Sequence, residues 1–246
     1  MNKKYEFTNE IKMVNGKTLH RIRALIAIID NNGNVIVKKG SLGGFIENER
    51  NLSHKGTAWI HDRAMVYDAA TVADHAQVFD FAKVHDQARI FGYAKVRHNA
   101  EVFGEAFCHD CCEIANNVRI FDNAEVFGDA IVSDSAEIFG HAKVYREAQV
   151  FMGARVFGYA KVFDHASVFN HASVHGYSAV FGETEVGAYA EIYGEASVFG
   201  DSEVSGFAKI FGYAQVVDTE VSDFTEIEAD ESAADEYSIW LVEKFG

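Results

Sequence analysis

The sequence predicts an all-β fold in which one strand-and-bend unit winds into a parallel β-helix, and three observations predict it. A six-residue phrase, Ala-x-Val-Phe-Gly-x, runs through residues 58–216 without an insertion or deletion. Its aliphatic position recurs 27 times and holds Val or Ile at 26 of them, with Cys108 the departure. Two residues earlier stands a small side chain, Ala at 22 of the 27, with Cys112, Val118, Ser178, Thr184 and Ser202 the exceptions.

Each hexad alternates inward and outward through Ala, x, Val and the aromatic residue, which is the period of a short strand. Turn formers follow. Gly104, Gly140, Gly158, Gly176, Gly194 and Gly212 share one corner with Asp68, Asp86 and Asp122; glycine admits unusual dihedrals and aspartate hydrogen-bonds its own turn. Three such strands close a triangular coil of 18 residues, so the 27 hexads form nine coils. Val and Ile fill the prism, and Ala leaves room where the sides converge. One coil cannot bury its own apolar face, so stability comes from stacking neighbours.

The ends read differently. Residues 1–57 form an N-terminal β cap with strands over residues 5–8, 18–29 and 35–38, joined by turns at Asn15-Gly16 and Asn31-Asn32-Gly33. Such a cap covers strand edges that would otherwise recruit other chains. Past Val216 the frame slips: Val221 comes five residues later and Ile227 restores the step. Residues 217–246 are therefore an acidic C-terminal cap, whose last segment, with Tyr237, Trp240, Leu241 and Phe245, reads as a helix or as a short strand over residues 239–242.

Residues 18 apart lie above one another, which turns the sequence into a surface map. One outer column reads Tyr67, His85, Phe103, Phe121, Phe139, Phe157, His175, Tyr193, Phe211, a ring at every level. A second, after Ala73, reads Phe91, His109, Phe127, Tyr145, Phe163, Phe181, Phe199; the third, His61, Phe79, Arg97, Ala115, Ser133, Phe151, Phe169, Gly187, Ser205, is broken by small and polar residues. Rings at this spacing stack on one another, yet each is expected to leave an edge in water, and so long a ridge exceeds the apolar patch of ordinary monomers. The expected interface is the column from Phe103 to Phe211, and the expected partner a second copy of the chain, most simply in a dimer. Beside that column Lys83, Glu101, Arg119, Glu137, Arg155, Ser173, Glu191 and Lys209 mostly alternate in sign, which fixes the stacking register.

The repeat resembles the hexapeptide-repeat proteins, whose motif starts at an aliphatic residue and has a small residue four positions later. That resemblance implies a left-handed helix. The run Ser41-Leu42-Gly43-Gly44-Phe45-Ile46-Glu47, followed by Asn51-Leu52-Ser53 and Ala58-Trp59-Ile60, narrows it to YdcK-like hexapeptide proteins, many encoded by phages and prophages. The columns and the resemblance together leave two function classes. One is a non-enzymatic scaffold that binds itself and a host protein; the other is an acyl-CoA-dependent acetyltransferase, which in that family is commonly helped by a loop projecting from the prism. No loop interrupts residues 58–216, so the scaffold is the reading carried forward.

Charge narrows the partners. Of the net −15, residues 1–60 carry +5, residues 61–216 carry −11 and residues 217–246 carry −9. A basic footprint along the helix is missing, which argues against nucleic acid there; acidic columns that imitate a phosphate backbone are a second option. No apolar stretch reaches the ~20 residues of a membrane span, and the first residues lack a signal-peptide core, so a cytoplasmic protein is expected. No cofactor or metal is expected. His165 has the most suggestive setting of the 11 histidines, in a corner column of Asp129, Glu147, Glu183 and Asp201, and its simplest role there is to relieve repulsion. Cys108 and Cys112 fall at inward positions while His109 points out, so the cluster reads as core packing rather than a zinc site.

Overall fold

A computed structural model describes residues 3–231 and shows an all-β chain of parallel stacked coils, a β-solenoid of about ten turns. The C-terminal segment with Tyr237, Trp240, Leu241 and Phe245 lies outside the described residues. The chain divides into two units, residues 1–134 and 135–246.

Unit 1 begins with an antiparallel cap. Strands β1 (Tyr5–Val14) and β2 (Lys17–Ala24) turn through Asn15 and Gly16, whose φ angles of 48° and 76° are left-handed. The first strand thus runs six residues beyond the expected residue 8, and the second stops at Ala24, short of residue 29. A separate hairpin, β3 (Ile28–Ile29) and β4 (Val35–Val37), follows. Strand β5 (Leu42–Ile46) pairs antiparallel with β2 on one side and parallel with Met65–Val66 on the other, so the cap sheet runs directly into the first wall of the solenoid. Side chains complete the junction: Tyr5 Oη donates to the Leu52 carbonyl at 3.0 Å, Lys4 Nζ to that of Ala58 at 2.8 Å, and Asn51 Nδ2 to that of Ala70 at 2.8 Å. Burial lowers the Lys4 pKa to about 8.

From there the repeat behaves as its period requires. Lys83–Val84 pairs with Glu101–Val102, Arg89–Ile90 with Phe107–Cys108, and Lys95–Val96 with Glu113–Ile114, each an 18-residue step on one of three walls. The interior Val, Ile and Ala are fully buried, as are Cys108 and Cys112. Each enclosed valine contributes about 1.5–3 kcal/mol relative to exposure. At the corners Asp68, Asp86 and Asp122 adopt φ of 59°, 57° and 57°, and Gly104 68°. Aspartate suits this conformation because its carboxylate reaches the next coil: Asp86 Oδ2 accepts from the Gly104 amide at 3.1 Å, satisfying a donor the ladder leaves over.

Unit 2 is wound in three walls of its own. The first pairs residues 137–138, 155–156, 173–174, 191–192 and 209–210 in sequence, the second starts at Lys143–Val144, and the third at Gln149–Val150. Pairing persists past Val216: Glu220–Val221 pairs with Glu203–Val204, and Glu226–Ala229 with Lys209–Gly212, both across 17-residue steps. A shortened corner therefore absorbs the frame slip without ending the helix.

Candidate functional site

The expected interface residues all stand on the first wall. In unit 1 Phe103 stacks on His85 at 5.1 Å and on Phe121 at 5.0 Å, with the Arg119 guanidinium 5.2 and 5.1 Å from those two phenylalanine rings. In unit 2 the ladder runs Phe139–Phe157 at 4.8 Å, Phe157–His175 at 4.6 Å, His175–Tyr193 at 5.2 Å and Tyr193–Phe211 at 5.0 Å. Interplanar angles of 1–9° keep the rings parallel. Every ring is half-buried, with its faces stacked on neighbours in the column.

Two further ladders escaped the sequence reading. At one corner bordering the first wall of unit 2, His141, Tyr159 and Tyr177 stack at 4.6 and 4.8 Å; at the other, His171, Tyr189, Phe207 and Phe224 stack at 5.4, 5.2 and 5.2 Å. These rings are open: Tyr177 is 66% exposed, Tyr189 54%, Phe207 50% and Phe224 80%. The signal was available, since both sets fall at 18-residue spacing until the last step of 17. The wall and both of its corners thus carry aromatic rings.

The second wall corrects an expectation. Phe163, Phe181 and Phe199 are 9%, 4% and 5% exposed, so these rings leave almost no edge in water. They stack at 4.8 and 5.0 Å, with Tyr145 and Ala179 packed against them.

A cleft of about 670 Å³ lies in unit 1, built by the cap hairpin rather than by a loop inside the repeat. Asp30, Asn31 and Asn32 of the hairpin face His61, Phe79, His75 and Tyr93. His61 stacks on Phe79 at 4.3 Å and its Nε2 lies 2.7 Å from Gln77 Oε1; burial holds its pKa below the ordinary histidine value against the opposing pull of Gln77, Asp62 and Asp80. A neutral imidazole in such a cleft can take up a proton.

The remaining candidates separate. His165 Nδ1 sits 3.3 Å from Glu147 Oε2, both groups exposed. His171 belongs to another corner, in the exposed ladder. Cys108 and Cys112 are interior with thiol pKa values raised by burial, Cys111 is exposed, and His109 pairs outward with Glu125 at 3.1 Å. Among the described residues Asp68, His85 and Asp86 gather ligand atoms within 4.8 Å, but Lys17 already pairs with Asp68 and Glu101 with His85. Among the described residues no helix is long and apolar enough to cross a membrane.

Neither a family model nor a curated protein sequence matches the chain.

Proposed function

We propose that the protein is a rigid β-solenoid scaffold that acts by binding other protein surfaces, first a second copy of itself, through the aromatic first wall. The observation that carries this reading is the concentration of three parallel ring ladders on one wall and its two corners in unit 2. Stacking accounts for the presence of the rings, but a ladder stacks equally well when its edges are covered. Exposed aromatic area of this extent favours association in water. The YdcK-like resemblance extends the proposal to a phage-encoded cytoplasmic protein that engages a host factor.

Light scattering tests the first step. At micromolar concentration the expected mass is twice 27.3 kDa; a monomer overturns the reading. The cleft beneath the cap hairpin favours a second reading, an acyl-CoA-dependent transferase with His61 as base. Calorimetry with acetyl-CoA decides it: saturable heat that His61→Ala removes supports the transferase, and no heat discards it.

A further inference from the structure

We propose that the first wall of unit 2 pairs with the same wall of a second copy, solenoid axes antiparallel, about a two-fold axis running along the strand Ser173–Val174. This rests on the self-association reading and adds its geometry. The rows of that wall carry Glu137, Arg155, Ser173, Glu191 and Lys209 beside their rings, and all five strands pair in register.

Among the two-fold axes that lie in such an interface, those that keep the strands of both walls aligned run either along the solenoid or along a strand. The first choice sets every row against itself, so that Glu137, Arg155, Glu191 and Lys209 each meet their own charge. The second, centred on row 173, inverts the order. Glu137 then faces Lys209 of the partner subunit, Arg155 faces Glu191 of the partner subunit, and Ser173 faces Ser173 of the partner subunit. Other centres fail. Row 155 or row 191 as the centre sets Arg155 or Glu191 against its own copy, and the half-steps beside row 173 oppose Glu137 to Glu191 or Arg155 to Lys209.

Side-chain volume along the preceding corner picks the same centre, while at the following corner the inversion stacks Tyr177 on Tyr177 of the partner subunit. Along the corner ladder that precedes the wall, the levels read Ser135, Gly153, His171, Tyr189, Phe207. Inversion about the central level seats exposed Phe207 against Ser135 of the partner subunit and exposed Tyr189 against Gly153 of the partner subunit, bulk against space. In the wall itself Phe139 meets Phe211 of the partner subunit and Phe157 meets Tyr193 of the partner subunit. Five rows at about 4.8 Å and roughly 20 Å of strand between corners give about 1,000 Å² over both copies, the threshold for a specific interface. A contact of that size depends on its register.

The test is crosslinking at the axis. In a Cys111→Ser chain, which lacks the exposed thiol, Ser173→Cys is expected to give a covalent dimer with a short bis-maleimide, whereas Ser167→Cys on the third wall stays monomeric. Arg155→Glu is expected to weaken the dimer about tenfold or more, and adding Glu191→Arg to restore it. Within one chain Arg155 pairs with Glu137 at 3.3 Å, and Glu191 lies two coils away, so rescue by Glu191→Arg together with the Ser173→Cys product reports a contact between chains. A dimer by light scattering with no Ser173→Cys product and no rescue overturns this arrangement and leaves self-association standing; a monomer overturns both.

Discussion

Two walls of unit 2 carry rings at nearly the same coil-to-coil spacing, 4.6–5.2 Å on the first and 4.8–5.0 Å between the phenylalanines of the second. On the second wall the phenylalanines are almost fully covered, and on the first they are half-open and bordered by rings that are at least half-exposed at Tyr177, Tyr189, Phe207 and Phe224. The second wall demonstrates that this backbone can cover three stacked phenylalanines almost fully. Exposure on the first wall is therefore a property of its side chains and not a consequence of the fold, which is why association is sought there.

Removing one ring from each wall separates packing from association. Phe181→Ala deletes a covered side chain and is expected to cost about 3–5 kcal/mol of unfolding free energy, with the oligomeric mass unchanged. Phe157→Ala deletes a half-buried ring and is expected to cost about 1–2 kcal/mol while weakening association. Denaturant titration beside light scattering checks both. Equal stability losses with no change in association would mean that the two walls do the same structural work.

The period, the three walls and the interior were legible because Ala and Val/Ile keep phase through every hexad, and one such phase leaves a single way to bury them. Cys108 and Cys112 confirm this: read by frame they fall inside, and both are buried. The corner ladders follow the same 18-residue step, but corner positions are dominated by dihedral preference, so rings such as Tyr189 and Phe207 stand among turn formers. The cleft was not legible. It depends on where the hairpin of Asp30 and Asn31 folds back, and no periodicity links those residues to His75 or Tyr93. Neither was the continuation of the helix past Val216, because a five-residue step reads as a break until Val221 is seen to pair through Glu203–Val204.

A corner substitution next to the exposed ladder has a smaller effect. Ala188 holds φ of 56° directly before Tyr189, a conformation costing a side chain with Cβ about 1–2 kcal/mol. Glycine removes that cost and loses about 0.5–1 kcal/mol through unfolded-chain entropy. Ala188→Gly is thus expected to stabilise the protein by about 0.5–1 kcal/mol, a rise of a few degrees in Tm, with association intact. If association falls with rising stability, the Tyr189 ladder depends on strain at its corner.

The smallest effect concerns the imidazole rung in the first wall of unit 2. Burial holds the His175 pKa below its ordinary 6.5; Glu191 opposes this and Arg155 adds to it. The folded protein therefore takes up this proton at lower pH than the unfolded chain does. Its contribution is complete above pH 6.5 and is lost as pH falls from there through the folded value. His61 and His54 are lowered by burial in the same direction, so the wild-type acid limb has several sources. His175→Phe continues the ring ladder without a charge. At pH 8 its stability is expected to stay within about 0.5 kcal/mol of wild type, and between pH 6.5 and 5 thermal melts are expected to fall less steeply. The matching change on the second wall, Phe181→His, is expected to steepen that limb, since the imidazole would there be buried more deeply than on the first wall. Parallel pH profiles for the two variants would show that the walls differ in ring exposure but not in how they treat charge.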